Sequence, residues 1–433
     1  MLTHHRPFQL ARIFTAILAI GAAGWLAGTN AATADDESPN ALDQLAQWLE
    51  DDGDPSALSG EPFAETPLTR EEAEEGAQRL WAAWLADHEA AHAAVWEERE
   101  VHYEDVTMRF DYRVFGEAPE RGRSLYISLH GGGGTRPEVN DAQWRNQIGL
   151  YEPDEGLYVA PRAPTNDWDL WHKDHIDPLF DRLIVSAVAH KGVDPNRVYV
   201  MGYSAGGDGV YQLAPRMADR WAAAAMMAGH PNNASPLNLR NIGFTLHMGG
   251  QDSAYNRNEV AAEWKETLAD LHAEDPEGYL HEAVIHPQHG HWMELDDAVA
   301  VDWMAGFTRD PYPDRIVWRQ DNVSHPRFYW LATPPAYHEE GALIRAERNG
   351  NTFRILETEG VDEVTLLLND SIADLDEPVR VIGPDDKELF EGTAPRTMAA
   401  LAESIATRPD PAYLFTAAVT VRTNGDEADE DGG

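Results

Sequence analysis

The sequence predicts a doubly wound, mainly parallel α/β sheet followed by a smaller β-rich domain. Three observations carry that prediction. Apolar runs of strand length alternate with helix-length segments between residues 101 and 308, a pattern that implies parallel strands covered on both faces by helices. The pattern changes at Arg309-Asp310-Pro311-Tyr312-Pro313, beyond which apolar residues recur mostly with period two as far as about Thr423. Finally, the β-prone run beginning at Val198 ends in Gly202-Tyr203-Ser204-Ala205-Gly206-Gly207, and a helix-compatible segment follows from Asp208 to Met217. That is the strand–turn–helix setting of a nucleophile elbow.

The chain begins with Arg6 and Arg12, an apolar run from Ile13 to Leu26 and a small-x-small site at Ala32-Thr33-Ala34. This is the layout of a secretory signal peptide over residues 1–34, with export to the periplasm or beyond and a mature start near Asp35. An uncleaved anchor is the alternative, but the run is shorter than the ~20 residues of a spanning helix, so no stable membrane anchor is expected. Residues 35–100 read as an acidic linker and N-terminal helical region: Asp35 to Thr69 is partly helical and partly disordered, and a helix then starts at Thr69-Arg70-Glu71-Glu72 and carries an apolar stripe at Leu80, Trp81, Trp84 and Leu85. Leu42, Leu45 and Leu49 stand at helical spacing and offer a docking face.

Within 101–308 the strands are expected at Val106–Val114, Ser124–Leu129, Leu157–Ala160, the run ending at Tyr203, Ala222–Ala228, Ile242–Met248 and Leu280–His286. Helices are expected at Asp181–Lys191, Asn258–Ala273 and Asp297–Phe307, and Asp194-Pro195-Asn196-Arg197 reads as a turn feeding the central strand. The 311–423 domain contains strand patterns at Ile316–Trp318, Phe328–Leu331, Leu343–Glu347, Phe353–Leu356, Val364–Leu368, Val379–Ile382 and Tyr413–Val421, with one helix near Thr397–Thr407. Asn349-Gly350-Asn351 marks a hairpin. The last residues, 424–433, form an acidic tail.

Composition excludes several classes of function. There are no cysteines, hence no disulfides, no thiol nucleophile and no thiolate metal site. A formal net charge of −42 repels nucleic acid and anionic membranes. Lysine occurs only at 173, 191, 265 and 387. Such a surface fits a saline setting, where screening relieves self-repulsion.

Acyl transfer needs a nucleophile, a base, a group that orients the base, and donors for an oxyanion. Ser204 at the elbow is the candidate nucleophile. His130-Gly131-Gly132-Gly133-Gly134 directly follows a strand, where glycines let backbone N–H groups approach a substrate oxygen unobstructed. Backbone N–H groups of this loop and the N–H of Ala205 are therefore the candidate oxyanion donors. A phosphate loop is excluded because no Lys-Ser/Thr follows the glycines. Asp252, just past the strand ending Met248-Gly249-Gly250, is the candidate acid, although the same position suits a turn aspartate capping the next segment. The base comes from His286-Pro287-Gln288-His289-Gly290-His291-Trp292, with His291 preferred and His289 second. Three imidazoles so close also suit a metal site. The order Ser204, Asp252, His291 is that of an α/β-hydrolase arrangement. For the substrate pocket, the candidates are Trp168 and Trp171 in the loop after the 157–160 strand, and His230 after the 222–228 strand. The tryptophans suit stacking on a sugar or aromatic acid and ordinary core or lid packing equally well.

On these motifs (His130-Gly131-Gly132-Gly133, Asp194-Pro195-Asn196-Arg197-Val198-Tyr199-Val200, Gly202-Tyr203-Ser204-Ala205-Gly206-Gly207, Gly250-Gln251-Asp252 and Gly290-His291-Trp292) residues 101–308 resemble α/β-hydrolases of the polyhydroxybutyrate-depolymerase, feruloyl-esterase and dienelactone-hydrolase-like group. The resemblance implies a serine esterase acting on a small-molecule or polymeric ester without a cofactor, with Ser204 as nucleophile, Asp252 as acid and His291 as base. It implies an oxyanion hole at Gly131, Gly132 and Ala205. Members of that group often carry disulfides and this chain has none, so substrate class does not transfer. A prolyl-oligopeptidase-type peptidase shares the motif order but usually brings repeated blades, and no repeat is visible. A binding protein on a hydrolase fold is the alternative from another class.

Overall fold

The computed structural model describes residues 40–51 and 53–423. The leader read at 1–34 and the tail at 424–433 lie outside the described residues. Helix α1 (Ala41–Glu50) and two 3-10 turns (Pro55–Gly60, Pro62–Glu65) lead into the long α2 (Arg70–Glu98). The start of α2 is fixed by a reciprocal cap. Thr69 Oγ1 accepts the Glu72 N–H at 3.2 Å and the Glu72 carboxylate accepts the Thr69 N–H at 2.9 Å. The 41–69 stretch is not the partly disordered linker its polarity suggests. Leu45, Leu58 and Ala64 are fully buried in one cluster with Leu80 of α2 and with Met398 and Leu401, so a few well-spaced apolar residues dock the whole segment.

The larger sheet follows: β1 (Glu100–Tyr103), β2 (Val106–Phe115), β3 (Arg123–Leu129), α3 (Pro137–Ile148), β4 (Gly156–Arg162), α4 (Ile176–Lys191), β5 (Val193–Tyr203), α5 (Ala205–Arg216), β6 (Ala223–Met227), β7 (Gly243–Gly249), α6 (Arg257–Glu274), β8 (His281–His286) and α7 (Val299–Ala305). Its eight strands lie in the order β1-β2-β4-β3-β5-β6-β7-β8. β2 is antiparallel to β1 and β4, and every pair from β4 to β8 is parallel. The chain runs from β3 outward to β4 and then returns across β3 to β5. The carboxyl ends of β3 and β5 therefore flank a switch in winding direction, where open α/β sheets place their ligand crevices. The 194–197 segment belongs to β5 rather than a separate turn, and the ladder to β3 accommodates it by a register shift between Arg123 and Leu125. Strand β1 and helix α3 escape the sequence pattern. In α3 the buried positions are Asn140 and Gln147, so it has no apolar stripe to read.

Beyond residue 310 come β9 (Arg315–Arg319), β10 (Arg327–Phe328), β11 (Leu331–Ala332), β12 (Leu343–Asn349), β13 (Thr352–Glu359), β14 (Glu363–Leu368), β15 (Val379–Ile382), β16 (Glu388–Gly392), α8 (Met398–Thr407) and β17 (Ala417–Arg422). They form a four-stranded sheet, β10-β11-β14-β17, and a five-stranded sheet, β16-β15-β13-β12-β9. The 349–351 hairpin is present, with Asn349 paired to Thr352 and Gly350 at φ 56°. Trp330 meets Phe353 edge-on at 5.4 Å between the sheets. Two expected strands differ. The 328–331 run breaks at Tyr329 (φ 52°) into the arms of a tight hairpin. The 413–421 run pairs only from Ala417, because Tyr413 and Phe415 are buried against the cations Arg309 and Arg327 instead of lying in a ladder.

The β-rich part joins the larger sheet through buried charge. Asp219 and Arg220, just after α5, meet Arg408 and Asp410, and Asp410 also accepts from Arg309 at 2.9 Å. A second link runs from His325 to the buried Asp177 at 2.9 Å and on to Arg216 of α5 at 2.5 Å.

Candidate active site

Ser204 stands between β5 and α5 with φ 60° and ψ −122°, a region that residues with a Cβ avoid. The flanking glycines permit it. A Cβ on Gly202 would lie 2.3 Å from the Gly206 carbonyl oxygen, and one on Gly206 would lie 2.0 Å from the Leu129 oxygen. The turn therefore brings the end of β5 into direct contact with the end of β3. The hydroxyl projects at the start of α5, whose first N–H groups have no acceptor within the helix.

Ser204 Oγ lies 2.9 Å from His291 Nε2, and His291 Nδ1 lies 2.6 Å from Asp252 Oδ2. The ionised carboxylate only accepts, so Nδ1 carries the proton and Nε2 accepts from the serine hydroxyl. Asp252 is buried at 3% exposure. The three residues come from loops after β5, β7 and β8, all at the carboxyl edge of the sheet. His289 is turned away and pairs with Asp296 at 2.8 Å, while His286 faces His247 at 3.2 Å. Among the described residues no group of three or more His, Asp or Glu is arranged to hold a metal.

The Gly131–Gly134 loop closes the other side. Gly131 packs directly against Ser204. The Gly133 N–H donates to Asn140 Oδ1 at 2.9 Å, and Asn140 donates to Asn166 at 2.9 Å. Beneath the loop His130 is fully buried. Its Nε2 accepts the Ala163 N–H at 3.1 Å, and burial lowers its pKa to about 4, so it stays neutral. His130 is thus a structural pin for the loop.

A cleft of about 470 Å3 opens beside Ala205, lined by Gly132 to Gly134, Trp168, Asp208, His230, Asn232, Tyr255 and Arg257. Trp168 (62% exposed) and His230 line it as expected. Trp171 does not. It is completely buried and donates its indole N–H to the His130 carbonyl at 3.0 Å, because Gly209 of α5 leaves room for its side chain.

Four residues of the site escaped the sequence reading. Tyr203, inside the elbow motif itself, donates its hydroxyl to the His291 carbonyl at 2.7 Å and accepts the Met293 N–H at 3.0 Å, so it ties down the histidine loop. Asp208 lies in the first turn of α5 and accepts the His230 N–H at 2.6 Å; burial raises its pKa to about 6. Tyr255 lies in the short 3-10 turn after Asp252 and Arg257 begins α6. No pattern in the sequence marks Asp208, Tyr255 or Arg257.

The strand order and the strained serine at the carboxyl end of β5 decide the architecture. The chain has the α/β-hydrolase fold. Neither a family model nor a curated protein matches this hydrolase-fold chain. Solved structures similar to it include a thermostable esterase, at 19% identity over 49% of this chain with a TM-score of 0.36; the chain spans 64% of that esterase's length. A Bacillus cereus carboxylesterase is similar at 16% identity, over 46% of this chain and 93% of that one, with a TM-score of 0.33. A phospholipase/carboxylesterase from Dyadobacter fermentans is similar at 18% identity, over 47% of this chain and 98% of that one, with a TM-score of 0.32.

Proposed function

We propose that this protein is an exported serine hydrolase that cleaves carboxylic esters, small or polymeric, through Ser204, His291 and Asp252. The observation that carries the reading is the unbroken chain of short contacts from Asp252 through His291 to a serine held in a nucleophile-elbow conformation. In the proposed cycle His291 Nε2 takes the Ser204 proton as Oγ bonds to the ester carbonyl carbon. The resulting oxyanion is held by backbone N–H groups of the 131–132 loop and of Ala205. His291 then returns the proton to the leaving alkoxide as the C–O bond breaks. Water repeats the sequence on the acyl-enzyme and releases the acid. Asp252 keeps the proton on Nδ1 and stabilises the imidazolium that forms.

The test is hydrolysis of p-nitrophenyl acetate and butyrate by the wild type and Ser204→Ala. Activity in the wild type that falls by at least ~10³-fold in the variant is the expected result. Equal rates in both, or none in either, would overturn the ester reading. Cleavage of a prolyl peptide instead would favour the peptidase reading, and absence of all turnover the binding-protein reading. The leader at 1–34 supports export, which is tested by locating the processed chain in cell fractions.

A further inference from the structure

We infer that Arg257 makes this site selective for esters that carry a carboxylate remote from the scissile bond. The inference rests on the serine-hydrolase reading for the position of the scissile bond, and on the cleft itself for the rest.

Arg257 lines the same cleft as Ala205 and the glycine loop. Its surroundings are unusual for a cation in so acidic a chain. Among the described residues no carboxylate oxygen lies within the 4.0 Å of an ion pair, and its hydrogen bond is a long one, from Nη1 to the Ala254 carbonyl at 3.4 Å. Its Nε is buried without a hydrogen-bond partner. Unsatisfied guanidinium donors beside a cavity are poised for an acceptor that the protein does not supply, and a planar carboxylate matches their fork geometry.

The backbone holds this arrangement at a cost. Tyr255 and Asn256 are consecutive non-glycine residues with φ of 57° and 56°. Such strain persists where surrounding structure enforces it and gathers at ligand clamps. Here it turns Tyr255 outward at 78% exposure and sets the Arg257 guanidinium 4.8 Å from the Tyr255 ring centre. Trp168 lines the same cleft. A flat or apolar linker suits the aromatic side chains of Tyr255 and Trp168, with the ester at Ser204 and the carboxylate at Arg257.

Two other titratable groups face the same space. Asp208 is buried, accepts the His230 N–H at 2.6 Å and interacts through space with Arg257. His230 has its pKa lowered, first by burial and then by Arg257, so it is neutral and does not compete for the carboxylate. Arg257 is therefore the cation that an anionic substrate would meet.

The experiment compares para-acetoxybenzoate with its neutral isostere para-acetoxybenzamide, as kcat/KM, in the wild type and in Arg257→Gln. Dividing the acid-to-amide ratio of the wild type by that of the variant cancels the difference in leaving group. The expected quotient is about 10–100, the worth of a charge-assisted hydrogen bond, and it shrinks in molar NaCl. A quotient within about two of unity overturns the inference while leaving ester hydrolysis intact. If no ester is turned over at all, the ester reading fails separately. Calorimetric titration with para-hydroxybenzoate then decides the subsite: binding by the wild type that is lost in Arg257→Gln supports it, and no binding by either overturns it.

Discussion

The conformation of Ser204 predicts that its glycine variant is more stable than its alanine variant. At φ 60° and ψ −122° the residue sits where a side chain costs about 1–3 kcal/mol and glycine costs little. Two variants separate the terms. Ser204→Ala keeps the Cβ, and with it the strain, while losing the 2.9 Å contact to His291. Ser204→Gly loses the same contact and also relieves the strain, at an entropic cost of about 0.5–1 kcal/mol in the unfolded chain. The glycine variant should therefore exceed the alanine variant by roughly 0.5–2 kcal/mol. For a chain of 433 residues the unfolding entropy is on the order of 0.9 kcal/mol/K, so that margin amounts to a melting temperature roughly 0.5–2 °C higher. Differential scanning calorimetry of the two variants, prepared and scanned side by side, resolves it. Both are expected to be inactive towards esters, which makes the comparison one of stability alone. A glycine variant that melts with or below the alanine variant would show that the elbow is not strained.

Three further outcomes follow from the same structure. Asp219→Ala leaves the Arg408 guanidinium buried without its partner, and should destabilise the protein by about 3–5 kcal/mol in chemical denaturation; a loss under ~1 kcal/mol would mean that water or Asp410 takes over. Burial lowers the pKa of each of His130, His172 and His247 to about 4, so in the window from 6.5 down to 4 the unfolded chain binds protons that the folded chain does not. Stability is then fully present above pH 6.5 and lost on acidification through that window. Asp208 and Asp297, whose folded pKa values are raised, act in the opposite sense, but His92, His230 and His286 are lowered as well, so melting temperatures measured from pH 7.5 to 4.5 should fall, and a flat or rising profile would refute the assignment. Finally, with 75 acidic residues against 33 basic ones, thermal stability should climb between low and molar NaCl as self-repulsion is screened; no change or a decline would remove the case for a saline setting.

How much of this was legible without the fold depends on the range over which each feature is encoded. The elbow was readable because its turn geometry is local: Gly202 and Gly206 are required by contacts within a few residues of Ser204 and with the end of the neighbouring strand. The order of Ser204, Asp252 and His291 was readable because each follows a strand that alternation reveals. Trp168 and Trp171 mark the limit. They lie in one loop three residues apart, and the loop sequence is silent about which faces the cleft. The choice is made by Gly209, on a helix that the loop meets only in the folded chain. Helix α3 fails for a related reason, since it buries Asn140 and Gln147 to hold the glycine loop and to reach Ser128, and a helix that buries polar groups has no apolar period. The buried network of Asp219, Arg309, Arg408 and Asp410 is the extreme case. Its members are up to 191 positions apart, and at sequence level each is one more charge in a highly charged chain. The same holds for Arg257, whose significance lies in the partner it lacks. An unpaired cation is visible only when every neighbour is in place, so the catalytic order can be read from a sequence of this kind, whereas the group that selects the substrate cannot.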